Sequence, residues 1–304
     1  MLDHVRRRRG THWLWSMLAA PGIIWLAVLF VAPLYVVLAI LFGQIDPILR
    51  QPVPVWNPVD WNVIQFRFVL DHVVGVQGYF GPPLLRTVVY VVVASAACLL
   101  VAYPVAYYAA RCAGRWRGLL LALLIAPFWI SYMMRMLAWV NLLQNDGLVN
   151  KALSLDGLLK VQVDWLSGHA STVVFGLVYG YVPYMILPLF AGLDRIPGAT
   201  LEAARDLGAS RWQAFRRVTW PMSKQAVVAS VILTCLPMLG DYFTNDLLSG
   251  SPRTSMVGSL VNESVLTPGQ TGQAAAFVLI VLVVSLIPML VYVRTTHEGQ
   301  GLGT

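Results

Sequence analysis

The sequence predicts an all-α membrane protein with six transmembrane helices, and three observations carry that prediction. Hydrophobic residues fill 58% of the 304 positions and charged residues only 12%, about half the charged share of a soluble domain. The apolar residues gather into runs close to the roughly 20 residues that cross a hydrocarbon core about 30 Å thick. The 21 basic residues, against 14 acidic ones, concentrate in alternate loops between those runs. Disordered, collagen-like and small disulfide-stapled classes are excluded by the same composition.

The spans are read at 17–42, 85–110, 118–142, 170–193, 225–247 and 273–293. They leave a basic N-terminal tail (1–16), a transmembrane domain (17–293) and a C-terminal tail (294–304). The first span follows Arg6, Arg7, Arg8 and Arg9 in the manner of a secretory signal. Its apolar stretch far exceeds the 7–15 residues of a signal, so it reads as an uncleaved anchor. Pro237, Gly240, Asp241 and Asp246 interrupt the outer half of the fifth span. The loop 43–84 is rich in Pro, Gly and Trp, and Trp61–Leu70 is predicted as a short surface helix. Trp13, Trp15, Trp56, Trp61, Trp116, Trp165, Trp212 and Trp220 fall near span ends, as an aromatic belt requires.

Orientation follows from the basic residues. Fourteen of the 21 lie on one side: Arg6–Arg9, Arg111, Arg115, Arg117, Arg195, Arg205, Arg211, Arg216, Arg217, Lys224 and Arg294. The positive-inside rule then puts both termini in the cytoplasm. The net charge of +7 is read as topology, with membrane lipid and no nucleic acid as partner. Cys98, Cys112 and Cys235 lack the spacing of a zinc site or a disulfide framework and read as small hydrophobes.

The loop 194–224 is the most informative segment. Thr200 is expected to cap a helix whose first turn holds Glu202, favourably placed at the positive end of the helix dipole. Gly208 suits the left-handed residue that ends such a helix. Ser210-Arg211-Trp212-Gln213 reads as a capping box opening a second short helix, and Pro221 marks the start of span five. Two short helices at an angle would then show Leu201, Leu207, Trp212 and Phe215 among charges. Such residues either pack back on the bundle or dock a partner, and physics alone leaves both open.

Glu202-Ala203-Ala204, followed by Gly208 and a distal Pro221, resembles the EAA loop of binding-protein-dependent ABC importer permeases. The resemblance implies a type I ABC importer permease fold in the bacterial cytoplasmic (inner) membrane. It implies an ATPase-coupling surface at Glu202, Ala203, Ala204, Asp206, Gly208, Ala209, Trp212 and Phe215. The partners implied are an ABC ATPase dimer, a second permease subunit (usually a related, non-identical chain) and an extracytoplasmic solute-binding protein. ATP and Mg2+ are then used by the partner ATPase, with no cofactor on this chain. Lys151, Lys160 and Lys224 all lack a preceding glycine, so the chain has no G-K-[ST] phosphate loop.

Two further stretches resemble the spermidine/putrescine permease group: Pro127-Phe128-Trp129-Ile130-Ser131-Tyr132 through Trp139, with Gly147 and Asn150, and Leu236–Gly250. The likeness runs from about Arg86 to Arg294 and weakens around Asn262–Gly272, where related sequences more often carry a Trp-Pro pair. Polyamine chemistry fits these residues, because ammonium groups call for carboxylates and aromatic faces along a path. Asp241, Tyr242, Phe243 and Asp246 offer both, and Trp129 and Trp139 are further candidates to line the path.

Counted at 1.5 Å per residue from Lys224, Asp241 lies about 25 Å into the membrane, and Arg135 reaches a similar depth from Gly118. Arg135 is therefore the expected ion-pair partner of Asp241, and Asp241 either makes that pair at an outer gate or touches substrate directly. The same architecture serves thiamine, iron(III), phosphonates or 4-aminobutyrate as an alternative. An intramembrane enzyme is disfavoured, because His4, His12, His72, His169 and His297 lie in tails, loops or at a span edge without a catalytic motif. A channel or scaffold would not need the EAA loop.

Overall fold

The computed structural model describes residues 3–74, 78–155 and 163–300. Lys160 of the basic count, and residues 1–2 and 301–304 of the two tails, lie outside them. The chain divides into two compact units, Met1–Asp71 with Ser264–Ala276, and His72–Glu263 with Phe277–Thr304. Among the described residues, five helices are long and apolar enough to cross a bilayer, or six if one sharply bent pair counts as a span.

In the first unit, α1 (Asp3–Leu41) runs unbroken through Pro21 and Pro33, and Met17–Leu41 is its membrane-length part. A two-stranded antiparallel hairpin follows, β1 (Gln44–Ile45) on β2 (Pro52–Val53), with Gln44 opposite Val53. Asp46 organises its loop by accepting the backbone N–H groups of Ile48 at 2.7 Å and Leu49 at 2.9 Å. Those bonds hold the Asp46 carboxyl below its ordinary range, Leu49 contributing most. Trp61 stacks on Phe42 with ring centroids 4.9 Å apart and donates its indole N–H to the Val55 carbonyl at 2.9 Å. The surface helix expected at 61–70 is α2 (Ile64–Val74), displaced towards the C-terminus because Asn62 Oδ1 accepts the Ile64 N–H at 3.0 Å and caps it there.

The second unit is built on α3 (Gly81–Arg111), which starts where Pro82 and Pro83 can occupy the first turn without losing hydrogen bonds. The third apolar run is α4 (Arg117–Ile125), a short 3-10 turn (Ala126–Trp129) and α5 (Tyr132–Leu143), and then comes α6 (Leu148–Leu155). It is not the single helix expected over 118–142, because its two arms, Gly114–Trp129 and Tyr132–Ser154, meet at 87°. Pro127 and the extended backbone of Ile130 end one arm, and Ser131 begins the next. Next come α7 (Ala170–Asp194), α8 (Gly198–Asp206), α9 (Arg211–Ala214), a π-turn (Phe215–Thr219) and α10 (Trp220–Leu239). Short α11 (Phe243–Leu248) follows, then α12 (Val257–Leu266) and α13 (Thr271–Gln300). The fifth span, expected to continue to 247, stops at Leu239, because Gly240 leaves the helical conformation and Asp241 takes over the start of α11.

The core of this unit is α3 on α7, closed by α10. Ala94, Cys98, Ala102 and Ala106 recur every four residues on α3 and are fully buried. Their small side chains let the α7 backbone come close, so Leu177, Met185, Leu189 and Leu193 pack between them. Arg111 fastens the C-terminal end of α7, its Nη2 donating to the Leu193 and Ile196 carbonyls at 2.7 Å each. Arg117 bridges to Asp194 at 2.7 Å beside it. Leu177→Ala should destabilise this packing by about 3 kcal/mol. Leu100→Ala, on the exposed face of α3, should change stability by no more than about 0.5 kcal/mol. Thermal unfolding in detergent checks both, and equal effects would contradict the assigned core.

Candidate functional site

Two places gather the residues singled out by sequence, and α10 connects them. The first is the loop from Arg195 to Thr219. Pro197 sits in an extended conformation and α8 starts immediately after it, so Thr200 lies inside the helix rather than capping it. Glu202 is consequently in the second turn, away from the positive dipole end expected for it. The end of α8 is as expected: Gly208 has φ +84°, its N–H reaches the Arg205 carbonyl at 2.8 Å, and the Ala209 N–H reaches that of Ala204 at 3.0 Å. That pair of bonds is the Schellman arrangement, which satisfies carbonyls left open at a helix end.

Ser210 and Gln213 form the expected capping box, with the Gln213 N–H donating to Ser210 Oγ at 3.3 Å and the Ser210 N–H to Gln213 Oε1 at 2.9 Å. The helix they open is not a separate short one. It continues through the π-turn into α10, so Arg211–Leu239 is one rod. Pro221 has no N–H for the carbonyl four residues back, and the wider π-turn relieves that clash without breaking the helix.

The loop presents an exposed edge and an anchored one. Leu207 is 89% exposed, Trp212 is largely exposed, and Glu202, Ala203 and Asp206 also face outward. Ala204 and Ala209 are half-buried. Phe215 stacks against Trp212 at 5.5 Å and meets Tyr103 and Tyr107 of α3 edge-on at 6.0 and 5.7 Å. Both readings of the loop therefore hold for different residues: Phe215 packs back on the bundle, while Leu207 and Trp212 are free of it.

The second place is where two breaks meet, Ile130–Ser131 and Gly240–Tyr242. Tyr132 Oη donates to Asp241 Oδ2 at 2.7 Å and lies 2.5 Å from Thr244 Oγ1. Thr244 adds its hydroxyl to Asp241 Oδ2 at 2.5 Å and its backbone N–H to Oδ1 at 3.1 Å. Asp241, 5% exposed, thus ties the break in one span to the break in the other. Gly180 on α7 makes room for this, since a Cβ there would stand 2.6 Å from the Tyr132 ring.

Arg135 is also only 5% exposed, but it does not form the expected ion pair with Asp241. Tyr132 stands between them: its hydroxyl takes the carboxylate while its ring faces the guanidinium at 5.4 Å, with Phe128 at 6.0 Å. Arg135 Nε and Nη1 have no hydrogen-bond partner. The bend in the third run also removes the straight-helix counting that gave Arg135 its depth.

The remaining residues scatter. Tyr242 and Phe243 stack on each other at 4.1 Å. Asp246 is exposed and lines a cavity of about 1080 Å³ with Arg86, Asn245, Asn262 and Glu263. Trp139 meets Phe175 and Tyr179 edge-on in a small apolar cluster, and Trp129 is 87% exposed, so neither joins Asp241 or Asp246. Tyr132 went unselected by sequence because a tyrosine in an apolar run looks like belt or core. The available signal was its place just after Pro127 and Ser131, where a helix must restart.

Apolar helices with two mid-run breaks around a buried carboxylate are the build of a membrane transport component. Residues 102–295 match the family described as binding-protein-dependent transport system inner membrane component, and the chain belongs to that family. It is a multi-pass protein of the bacterial inner membrane, a permease subunit rather than an enzyme. The spermidine/putrescine transport system permease protein PotB of Escherichia coli (strain K12) is 30% identical, over 78% of this chain and 86% of that protein. Its namesake from Haemophilus influenzae is 34% identical over 64% of this chain and 68% of that one. In fold, the chain resembles one in the crystal structure of a bacterial alginate ABC transporter in complex with an alginate pentasaccharide-bound periplasmic protein. The TM-score is 0.71 at 18% identity, over 96% of both chains.

The left-handed φ of Gly208 makes a specific prediction. Gly208→Ala should destabilise the end of α8 by about 1 kcal/mol and Gly208→Asn by less, since Asn tolerates that conformation better. Limited proteolysis of the loop in membranes reads the difference, and equal cleavage of all three forms would contradict it.

Proposed function

We propose that this chain is one permease subunit of an ATP-driven importer for linear polyamines of the spermidine/putrescine class. The observation that carries the proposal is the 30% identity to a spermidine/putrescine permease over 78% of the chain. The buried Asp241, held by displaceable hydroxyl donors rather than by Arg135, agrees with a cationic cargo. In this reading both termini are cytoplasmic, and a second permease, related but not identical, completes the path. A solute-binding protein delivers cargo outside, and a pair of ATPase subunits, which use the ATP and Mg2+, dock on the cytoplasmic loop.

The coupling surface consists of Glu202, Ala203, Ala204, Asp206, Gly208, Ala209 and Trp212, with Phe215 as the anchor that joins it to α3. Leu207 supplies the apolar contact, being among the most exposed large side chains of the loop. Movement imposed there enters the rod Arg211–Leu239, about 40 Å long at 1.5 Å per residue. The rod ends at Gly240, one residue before Asp241. Tilting it pulls the Asp241 carboxylate away from Tyr132 on α5, which opens the junction of the two breaks. A substrate ammonium then replaces the hydroxyl donors, because it brings a full opposite charge to the carboxylate where a hydroxyl brings only a dipole. Tyr242 and Phe243 offer aromatic faces next to it, Asp246 receives cargo further out, and Arg135 sets an electrostatic limit on how far a cation advances.

Uptake of labelled spermidine and putrescine by cells expressing the complete transporter tests the cargo. Each polyamine should compete with the other, while 4-aminobutyrate, phosphonate, thiamine and iron(III) should not. Transport of one of those solutes in place of polyamines would overturn the reading. For the coupling surface, Glu202→Trp should abolish both uptake and co-purification of the ATPase while the protein still inserts. Normal uptake by that variant would remove Glu202 from the coupling role.

A further inference from the structure

A cavity in the second unit lies away from Asp241. It opens beside α11, has a volume of about 1080 Å³, and takes its walls from the start of α3, from α11 and from α12. Its charged side chains are Arg86, Asp246 and Glu263, so carboxylates outnumber cations two to one. Arg86 is already committed, with its Nη1 donating to the Pro252 carbonyl at 2.9 Å. Asn245, only 2% exposed, forms part of the wall and gives its amide N–H to Ser259 Oγ at 3.1 Å. Its carbonyl Oδ1 is buried without a partner, an acceptor left open where α11 meets α12. Asn262, Ser255 and Ser259 add polar groups, while Tyr79, Phe80 and Leu260 make part of the wall apolar.

From this we infer that the cavity is a receiving site for a linear oligoamine, with Asp246 on α11 and Glu263 on α12 each binding one ammonium group of the same molecule. The inference rests on the polyamine reading above and adds to it a residue, Glu263. The chemistry selects this ligand class among small solutes. Two carboxylates on separate helices, with a neutral acceptor at Asn245 between their elements, suit a flexible chain bearing several cations. They repel an anion, and a monocation gains from only one of them. The cavity volume, at the upper end of the roughly 300–1,000 Å³ common for ligand sites, admits an extended amine with its water. Arg86, turned to the Pro252 carbonyl, keeps α3 attached to the loop after α11 rather than neutralising Asp246.

If Glu263 binds the second ammonium, its loss should matter for a diamine and a triamine alike, since each presents at least two ammonium groups. With the full transporter in cells, Glu263→Gln should lower the uptake of both spermidine and putrescine about tenfold. Asp246→Asn should lower both as well, and Glu263→Asp should restore most of the uptake, which a misfolded variant would not do. No loss of either amine in Glu263→Gln, or no recovery in Glu263→Asp, would overturn the receiving site. Failure of the unaltered transporter to take up any polyamine would instead overturn the functional reading on which it rests.

Discussion

A helix that breaks inside a bilayer leaves N–H and C=O groups that lipid cannot satisfy, and this chain breaks two membrane runs at neighbouring points. The carboxylate of Asp241 is what makes the junction tenable. It caps α11 through the Thr244 N–H, accepts the Thr244 hydroxyl, and reaches across to the Tyr132 hydroxyl on the far side of the other break. One side chain thus serves a helix start and an inter-helix tie together. Without it, the start of α11 and the bend after Ile130 would each need another polar partner in a region that supplies few.

Other features of the second unit follow from that junction. Gly180 is required because the Tyr132 ring lies against the α7 backbone, and Gly176, one turn away, gives the same clearance to Leu248 and Thr244. The small-residue stripe of α3 holds α7 in place on its opposite side, which fixes the wall against which Tyr132 and α11 rest. On the other side, α10 extends without interruption to Arg211, so the junction and the exposed loop are two ends of one helix. The π-turn at Phe215–Thr219 is the one irregularity along it, and it lies where Phe215 is pinned between α3 and Trp212.

Much of this was legible in the sequence, and the rest failed for identifiable reasons. Apolar runs gave the membrane helices, and Gly208, Ser210 and Gln213 gave the cap geometry of the loop, because those signals are local and depend on backbone chemistry alone. Thr200 has a good capping side chain, but Pro197, with its fixed φ, decides where α8 starts. The bend at Ile130–Ser131 was hidden within an unbroken apolar run, since composition reports solvent preference and not direction. The Arg135–Asp241 pairing rested on counting along straight helices, and both helices break before the two residues could meet. Tyr132 is a tertiary fact: its place after Pro127 and Ser131 marks a helix restart, but not that its hydroxyl reaches a second break.

Arg135 makes the junction costly. A buried guanidinium against two aromatic rings, with two donor nitrogens unsatisfied, is a costly arrangement in the low-dielectric interior. An ion pair with Asp241 would relieve that cost, yet it would also neutralise the carboxylate permanently. Tyr132 instead meets the carboxylate with its hydroxyl, beside the hydroxyl and backbone N–H of Thr244. The same ring stands between Asp241 and Arg135. Phenylalanine at 132 would keep that separation and lose the tie. Leucine would lose both and bring the two charges together. The hydroxyl and the ring of Tyr132 therefore do separate things: one ties the two breaks together, and the other separates the carboxylate from the guanidinium.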